Sequence, residues 1–198
     1  MRAKRLFDLA FTLPGLVLLS PLFAAIAVWI KWDSPGPVFF RQTRVGRGGR
    51  PFCIVKFRTM VADAEALGDK VTAGGDPRIT RAGAFLRRYK LDELPQLINV
   101  VKGEMSLVGP RPEVPEYVAH YPEAVRAKVL SVPPGITDRA SLEFRSENEL
   151  LAGAADPHAY YVSEILPRKL AYYEAYADHR SLWGDLKLVL RTLGRLVR

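Results

Sequence analysis

A run of apolar residues from 9 to 30 contains no charged residue and dominates the N-terminal part of the chain. About 22 residues at 1.5 Å of rise per residue could cross a hydrocarbon core of about 30 Å, so length alone predicts a membrane-spanning helix. Two prolines, Pro14 and Pro21, interrupt the run. We therefore expect a membrane helix over residues 1–33 and one compact domain over 34–198.

Basic residues flank the apolar run on both sides, with Lys4 and Arg5 before it and Lys31 after it. Because cytoplasmic flanks of membrane helices carry the excess of Lys and Arg, both ends are expected on the same side of the bilayer. A straight crossing would put them on opposite sides. A re-entrant helix that returns to the same face satisfies this constraint, and a single-pass anchor with a tolerated proline is the alternative.

The Ser20-Pro21 pair is the expected turning point of such a re-entrant helix. Pro21 lacks an amide hydrogen, and its ring crowds the carbonyl of Val17. The Ser20 hydroxyl is able to satisfy one freed backbone group. A cleaved signal peptide is disfavoured because the run is longer than its apolar region and no small-residue cleavage site follows.

Beyond residue 33, the pattern predicts one short hairpin followed mainly by helices. Two β-prone stretches, 38–40 and 52–55, are separated by glycines and a basic loop, as in a β-hairpin. Prolines and a glycine between 131 and 145 predict an ordered loop. The fold class is thus α+β, mostly α. Helix starts are expected at Thr80, Pro122 and Asp156.

The last residues, 181 to 198, predict a basic amphipathic helix. Basic residues recur at spacings of four and three from Lys187 to Arg198, and leucines and valines occupy the opposing side. Such a helix either packs its apolar side on the core or lies in the headgroup layer of a membrane. Because a membrane helix is already expected at the other end, we predict an interfacial position.

The formal net charge of +8 over 198 residues implies an acidic partner: an anionic membrane surface, a phosphorylated substrate or nucleic acid. Nucleic acid is disfavoured because aromatic residues do not alternate with the basic ones in a recognisable module. Cys53 is the single cysteine, so no disulfide framework is expected, and three scattered histidines disfavour a zinc site.

Candidate chemistry lies at two adjacent carboxylates, Asp92 and Glu93. Pro95 follows them, and because proline is tolerated in the first turn, the pair is expected at a helix start, where an acidic cap is the simpler interpretation. However, Arg87 lies just upstream, and Arg111 stands between two prolines that restrict its backbone. Such cations bind phosphate. The functional hypothesis is a diphosphate held against Asp92 with a shared Mg²⁺.

Six segments of the chain, taken in order, carry a family resemblance. They are Lys4-Arg5-Xaa-Xaa-Asp8, Ser20-Pro21, Lys56-Phe57-Arg58-Thr59-Met60, Leu91-Asp92-Glu93-Leu94-Pro95-Gln96, the run KGEMSLVGPRP at 102–112, and Pro134-Gly135-Ile136-Thr137. This order resembles that of the bacterial sugar transferases, the monotopic polyprenyl-phosphate phosphoglycosyl transferases. The match extends to at least Arg145, and the stretch 91–112 is long enough to be specific.

The resemblance implies a small, catalytic-unit-only member that transfers a phosphosugar from a UDP-sugar to polyprenyl (undecaprenyl) phosphate and releases UMP. Asp92 would attack the β-phosphorus and carry the phosphosugar as an acyl phosphate. Polyprenyl phosphate would then attack this intermediate, giving polyprenyl diphosphate sugar, as the first membrane step of glycoconjugate assembly. Glu93 would hold Mg²⁺ together with Asp92, or take up a proton.

The resemblance also implies roles for five cationic side chains. Arg87 and Arg111 would neutralise charge on the transferred phosphoryl group. Lys56 and Arg58 are expected to contact anions. Arg145 is expected to bind a phosphate or the nucleotide.

At the membrane, the resemblance implies a monotopic protein on the cytoplasmic face of the bacterial inner membrane, with an anionic bilayer as a partner. Lys4 and Arg5 would lie near the lipid headgroups, and Ser20 and Pro21 would break the helix. The sequence after Thr137 departs from the pattern of many members, so the resemblance does not assign the sugar.

Two rival functions remain open at this stage. A membrane-tethered scaffold would explain the amphipathic ends, but it gives no reason for the combination of Asp92, Glu93 and Arg111. A hydrolase that uses the acidic pair is the nearest enzyme alternative, and it would act without a lipid acceptor.

Overall fold

The computed structural model describes residues 2–64, 76–144 and 147–196, which form many helices and two small sheets. This mostly helical architecture confirms the α+β class. The helices are α1 (Arg2–Asp33), α2 (Arg81–Arg88), α3 (Gln96–Lys102), α4 (Pro115–Val118), α5 (Glu123–Val129), α6 (Arg139–Glu143), α7 (Glu147–Ala152), α8 (Pro157–Tyr160), α9 (Leu166–His179) and α10 (Leu182–Leu196). The strands are β1 (Phe39–Val45), β2 (Pro51–Phe57), β3 (Ser106–Val108) and β4 (Gly135–Thr137).

Strands β1 and β2 form the predicted antiparallel hairpin, paired from Phe39 with Phe57 to Val45 with Pro51. Asn99 of α3 attaches this hairpin to the rest of the protein. Its side chain accepts a hydrogen bond from the Val55 amide at 3.0 Å and donates one to the Cys53 carbonyl at 2.8 Å. Because Asn99 is fully buried, this link fixes β2 against α3.

The ordered loop predicted over 131–145 is wrong in part, because this segment contains β4 and α6. Strand β4 pairs in parallel with β3, and the Asp138 side chain caps α6 by accepting from the Ser141 amide at 2.9 Å. Strands of three residues have too little periodicity to be visible in the sequence. Their pairing depends on a distant segment.

Helix α1 is apolar enough to span a membrane, with a mean hydropathy of 2.2, and 11% of its most apolar window is buried. Near its N-terminal end, Arg5 bonds to α3 and Asp8 bonds to β3. Near its C-terminal end, Ile26 and Ile30 pack in one cluster with Phe57 and Leu86. Both ends of α1 therefore contact the same body of protein, while apolar side chains in the middle of the helix, including Val17, are exposed.

The Ser20-Pro21 pair lies inside α1, which is helical from Arg2 to Asp33 without interruption. As expected from the sequence, the Ser20 hydroxyl donates to the Val17 carbonyl, at 2.7 Å. This bond satisfies the carbonyl that Pro21 leaves without an amide partner. The predicted break of the helix at this pair is not confirmed.

The remaining helices pack around a second core that includes Tyr121, Leu166 and Tyr173. Helix starts agree with the prediction: Thr80 caps α2, Pro122 is the N-cap residue of α5, and Asp156 caps α8. Helix α10 buries Asp185 but exposes several large apolar side chains. These are Leu182, Trp183, Leu190 and Leu193.

Candidate active site

Two neighbouring carboxylates, Asp92 and Glu93, lie in a 3₁₀ turn between α2 and α3. Lys90 enters this turn with a φ of 56°, a left-handed conformation that is uncommon for a residue with a side chain. Pro95 is the N-cap residue of α3, where a missing amide hydrogen needs no replacement. The pair therefore precedes a helix as predicted, although no side chain caps that helix.

Glu93 is held by two cations. Lys56 of β2 donates to its Oε1 at 2.8 Å, and the Arg111 guanidinium donates to both carboxylate oxygens, at 3.2 Å for Oε2. Burial opposes ionisation, but Arg111 and Lys56 together hold the pKa of Glu93 well below its usual value. The ionised form of Glu93 is thus favoured, and two cations bind it.

Asp92 differs from Glu93 in its surroundings. Only 8% of Asp92 is exposed, and its Oδ1 atom has no hydrogen-bond partner among the described residues. Burial and the neighbouring Glu93 raise the pKa of Asp92, whereas Lys56 and Lys90 counteract this rise. The charge of Glu93 is therefore balanced by bound cations, whereas Asp92 keeps an oxygen that is available for bonding.

Arg111 is presented by the loop that follows β3. The backbone of this loop lies against the start of β4, since the Gly135 amide donates to the Pro110 carbonyl at 2.9 Å. A Cβ atom on Gly109 would stand 2.4 Å from the Pro133 carbonyl oxygen, so only glycine permits this approach. The close contact of β3 and β4 fixes the loop and directs the guanidinium toward Glu93.

A cavity of about 250 Å³ has one member of the carboxylate pair, Glu93, in its wall, and Asp92 is not among its lining residues. Both polar and apolar side chains line it, and they come from segments that are far apart in the sequence. The lining residues are Lys90, Glu93, Leu94, Leu97, Arg111, Ile136, Thr137, Ser141, Leu142, Phe144, Glu147, Lys169 and Thr192. Within the described ranges, no three His, Cys, Asp or Glu side chains converge as a metal cluster.

Arg87 belongs to the surroundings of Asp92. Its Nε donates to the Thr59 hydroxyl at 2.9 Å, and its charge lowers the pKa of Asp92. The structure thus brings together five of the predicted site residues: Lys56, Arg87, Asp92, Glu93 and Arg111. Of the other two predicted residues, Arg145 lies outside the described residues, and Arg58 is bonded elsewhere.

Arg58 has different contacts from those expected of an anion ligand. Its guanidinium donates to the carbonyls of Ile30, Ser34 and Pro35, at and just after the C-terminal end of α1. The Ile30 carbonyl also accepts from the Ser34 amide at 3.2 Å, and a cation is favourable at this end of a helix. Anion binding by Arg58 stays a prediction that these contacts do not favour.

Lys4 and Arg5 are bonded within the protein. The Lys4 ammonium lies 2.9 Å from Asp8 and 2.7 Å from Asp185 of α10, and Arg5 donates to two carbonyls in the last turn of α3. Asp8 also accepts from the Ser106 hydroxyl of β3 at 3.1 Å. The Lys-Arg-Xaa-Xaa-Asp motif thus joins α1 to three other elements, and contact of these cations with headgroups stays a prediction.

Sequence reasoning missed a buried polar chain behind the cavity. Glu147 pairs with Lys169, Lys169 donates to the Tyr161 hydroxyl, Tyr161 donates to Glu113, and Glu113 pairs with Arg44. Glu113 directly follows the Pro-Arg-Pro segment, which is the one available signal in the sequence. The other members are separated along the chain, and no local pattern connects them.

The described residues thus combine one helix that is long and apolar enough to span a membrane with a mostly buried carboxylate–cation site. The family model described as Bacterial sugar transferase matches residues 1–198, so the chain belongs to this family.

Curated relatives agree with this assignment. The chain is 40% identical over 199 residues to a UDP-glucose:undecaprenyl-phosphate glucose-1-phosphate transferase of Xanthomonas campestris pv. campestris, covering 98% of this chain and 39% of the relative. A Caulobacter vibrioides protein of the same name is 38% identical over 206 residues, with coverages of 98% and 69%. An Aeromonas hydrophila UDP-N-acetylgalactosamine-undecaprenyl-phosphate N-acetylgalactosaminephosphotransferase is 38% identical over 193 residues, with coverages of 96% and 42%. The chain thus spans only part of each of these proteins.

Proposed function

We propose that this chain transfers a sugar 1-phosphate from a UDP-sugar to undecaprenyl phosphate and releases UMP. The observation that carries the proposal is the asymmetry of the carboxylate pair. The negative charge of Glu93 is balanced by Lys56 and Arg111, whereas the Oδ1 atom of Asp92 is buried without a hydrogen-bond partner among the described residues. The names of the relatives supply the donor and acceptor classes.

The proposed reaction has two displacement steps on one phosphorus atom. First, a carboxylate oxygen of Asp92 attacks the β-phosphorus, the bond between this phosphorus and the bridging oxygen breaks, and UMP leaves with that oxygen. An oxygen of undecaprenyl phosphate then attacks the same phosphorus, and the bond to Asp92 breaks to restore the carboxylate. A covalent intermediate divides one difficult displacement into two easier ones.

The cations around the pair are suited to the charge of these steps. Arg111 presents a planar guanidinium that matches phosphate oxygens, and Lys56 adds a second positive charge at Glu93. Arg87 acts electrostatically on Asp92 from the α2 side. A transferred phosphoryl group would therefore meet preorganised positive charge in a largely buried site.

Asp92 and Glu93 both retain oxygen lone pairs that could coordinate a bound Mg²⁺. Asp92 offers the unpartnered Oδ1, and a carboxylate has about four lone-pair sites, so the Glu93 oxygens are not exhausted by Lys56 and Arg111. Mg²⁺ is commonly held by one or two carboxylates together with substrate phosphates. When bound, it would supply Lewis-acid polarisation of the phosphoryl oxygens.

A re-entrant arrangement of α1 on the cytoplasmic face of the inner membrane is part of the proposal. Both ends of the helix contact the same domain, as expected if the chain enters and leaves the bilayer on one side. The apolar middle of the helix and the apolar side chains of α10 are exposed, as lipid contact requires. Such a position would bring a soluble UDP-sugar and a lipid phosphate to the same site.

The test is UMP release by detergent-purified protein with Mg²⁺, undecaprenyl phosphate and a panel of UDP-sugars. We expect multiple-turnover release that requires the lipid and is lost in Asp92→Asn, an isosteric change that removes the nucleophile. The retained fold of the variant is checked by its melting temperature. Release without lipid would support the hydrolase instead, and a wild-type protein inactive on every donor would contradict the proposal.

The topology is tested separately by tagging. A tag at residue 1 and a second tag in the domain should both be labelled in inverted vesicles, which expose the cytoplasmic face. Both tags should be protected from the label in right-side-out vesicles. Labelling of the two tags from opposite sides would contradict the re-entrant arrangement and leave the transfer reaction untouched.

A further inference from the structure

The cavity beside the carboxylate pair has a second charged pair in its wall, Glu147 of α7 and Lys169 of α9. Their side chains make an ion pair of 2.6 Å, with 25% of Glu147 and 4% of Lys169 exposed. Glu93 and Arg111 line the same cavity. One open cavity therefore connects the expected phosphate position to a buried ammonium and a partly exposed carboxylate.

This second pair retains hydrogen-bonding capacity. An ammonium has three N–H donors, and among the described residues Lys169 uses one for Glu147 and one for the Tyr161 hydroxyl, at 3.3 Å. The Oε2 atom of Glu147 lies 2.6 Å from the Lys169 ammonium, and because a carboxylate has about four lone-pair sites, Glu147 can accept further hydrogen bonds. A donor and an acceptor thus stand next to each other at the cavity wall.

A π-turn at Tyr161–Ile165 holds Lys169 in this place. An α-helix rotates by about 100° per residue, so residues eight positions apart differ in direction by about 80°. The wider π-turn reduces this difference and lets the Lys169 ammonium reach the Tyr161 hydroxyl and lie 4.8 Å from its ring centroid. Such turns are frequent at functional sites.

The same polar chain links Lys169 to the loop that carries Arg111. Tyr161 donates to Glu113 at 2.6 Å, and Arg44 pairs with Glu113 at 3.7 Å while donating to the Pro112 carbonyl at 3.2 Å. The pair and the phosphate-binding guanidinium are therefore parts of one bonded framework. A buried ion pair adds little net stability, so stability alone does not account for its position.

The size of the cavity limits what it holds beside the phosphate. Sites for whole drug-sized ligands have volumes of about 300–1,000 Å³, so about 250 Å³ accommodates part of a nucleotide sugar. The sugar is bonded directly to the β-phosphate. The apolar residues Leu97, Ile136 and Phe144 complete the lining and suit the C–H face of a sugar ring.

We infer that Glu147 and Lys169 determine which sugar is transferred, by hydrogen bonding to hydroxyl or acylamino substituents of the hexose ring. This inference rests on the proposed function, because it assumes that a UDP-sugar occupies the cavity. Lys169 would donate to a hydroxyl or carbonyl oxygen, and Glu147 would accept from a neighbouring O–H or N–H. A site built for such groups rejects a sugar that places them elsewhere.

The test compares kcat/KM for four donors: UDP-glucose, UDP-galactose, UDP-N-acetylglucosamine and UDP-N-acetylgalactosamine. Two variants are measured, Glu147→Gln and Lys169→Met. Lys128→Met is the matched control, since Lys128 makes a 2.6 Å ion pair with Asp178 on the outer side of α5 and α9. Ratios between donors are independent of the folded fraction, and Glu147→Gln decides the question if Lys169→Met does not fold.

We expect the preference between two donors to change by about tenfold or more in both site variants and to stay at the wild-type value in the control. A changed ratio between donors that differ in the C2 substituent, such as UDP-glucose and UDP-N-acetylglucosamine, would assign the pair to the acylamino position. A changed ratio between C4 epimers, such as UDP-glucose and UDP-galactose, would assign it to the C4 hydroxyl. Equal loss for all four donors, or unchanged ratios, would overturn the inference while leaving the transfer reaction intact. A wild-type protein inactive on all four would remove the proposed function first.

Discussion

The ammonium of Lys4 lies 2.7 Å from the carboxylate of Asp185, which joins the first turn of the apolar helix to the C-terminal amphipathic helix. The same ammonium contacts Asp8 at 2.9 Å, so two buried carboxylates share one cation. Burial raises the pKa of Asp185, and Lys4 counteracts this effect. Lys4 thus links the two helices that face the membrane in our proposal.

Replacing Lys4 should lower the free energy of unfolding. Lys4→Met leaves two close carboxylates without their cation, and breaking a buried pair in this way costs about 3 kcal/mol. For a chain of this size, that corresponds to a fall of roughly 6–12 °C in melting temperature. Lys187→Met, at an exposed lysine of α10, is the control and should change the melting temperature little. A second change, Asp185→Asn, should restore part of the loss, and no restoration would contradict the shared-cation interpretation.

Two buried tyrosines should respond differently to loss of the hydroxyl. The Tyr173 hydroxyl has no partner among the described residues, so Tyr173→Phe should leave the free energy of unfolding unchanged or raise it. Tyr161 donates to buried Glu113, so Tyr161→Phe should lower it by about 1–3 kcal/mol. Chemical denaturation of both variants measures the difference. Equal effects would contradict the described hydrogen bonding.

Arg58 and Lys56 should separate stability from activity. Arg58 donates to carbonyls at the end of α1, so Arg58→Met should lower the melting temperature and leave the donor KM of the folded protein unchanged. Lys56 pairs with Glu93, so Lys56→Met should mainly reduce kcat/KM for UMP release. A large rise in donor KM for Arg58→Met would restore the original expectation that Arg58 contacts the anion.

The pH dependence of UMP release should report on Asp92. Burial and Glu93 raise the pKa of Asp92, and the charge of Lys56 lowers it. Because attack requires the ionised carboxylate, activity falls as the pH falls through this pKa. Removing the positive charge in Lys56→Gln raises the pKa, so the acidic limb of kcat/KM should move to higher pH. Lys102→Gln, on the exposed end of α3, should keep the wild-type limb, and a downward shift in Lys56→Gln would contradict the assignment.

The sequence predicted the features that have local causes. The hairpin, the cap at Thr80 and the satisfaction of the Val17 carbonyl by Ser20 follow from short-range chemistry, and each is present. The segment around Asp92 was recognisable because its chemistry-bearing residues are adjacent.

The rest depends on partners that are distant in the chain. Strand β4 exists because β3 lies beside it, and the contacts of Arg58 depend on where α1 ends. Charge type alone does not distinguish a guanidinium that binds phosphate from one that binds backbone carbonyls. Lys169 likewise has no sequence signal, since its partners Glu147 and Tyr161 are brought to it by helix packing and a π-turn.

Helix α1 contributes to the hydrophobic core at its C-terminal end and to a buried ionic cluster at its N-terminal end. Deleting it would uncover Phe57 and Leu86 and leave Asp185 without its cation. A truncation before residue 34 would therefore remove part of the core as well as the apolar helix. Swapping this helix between relatives would likewise require its buried neighbours to be exchanged with it.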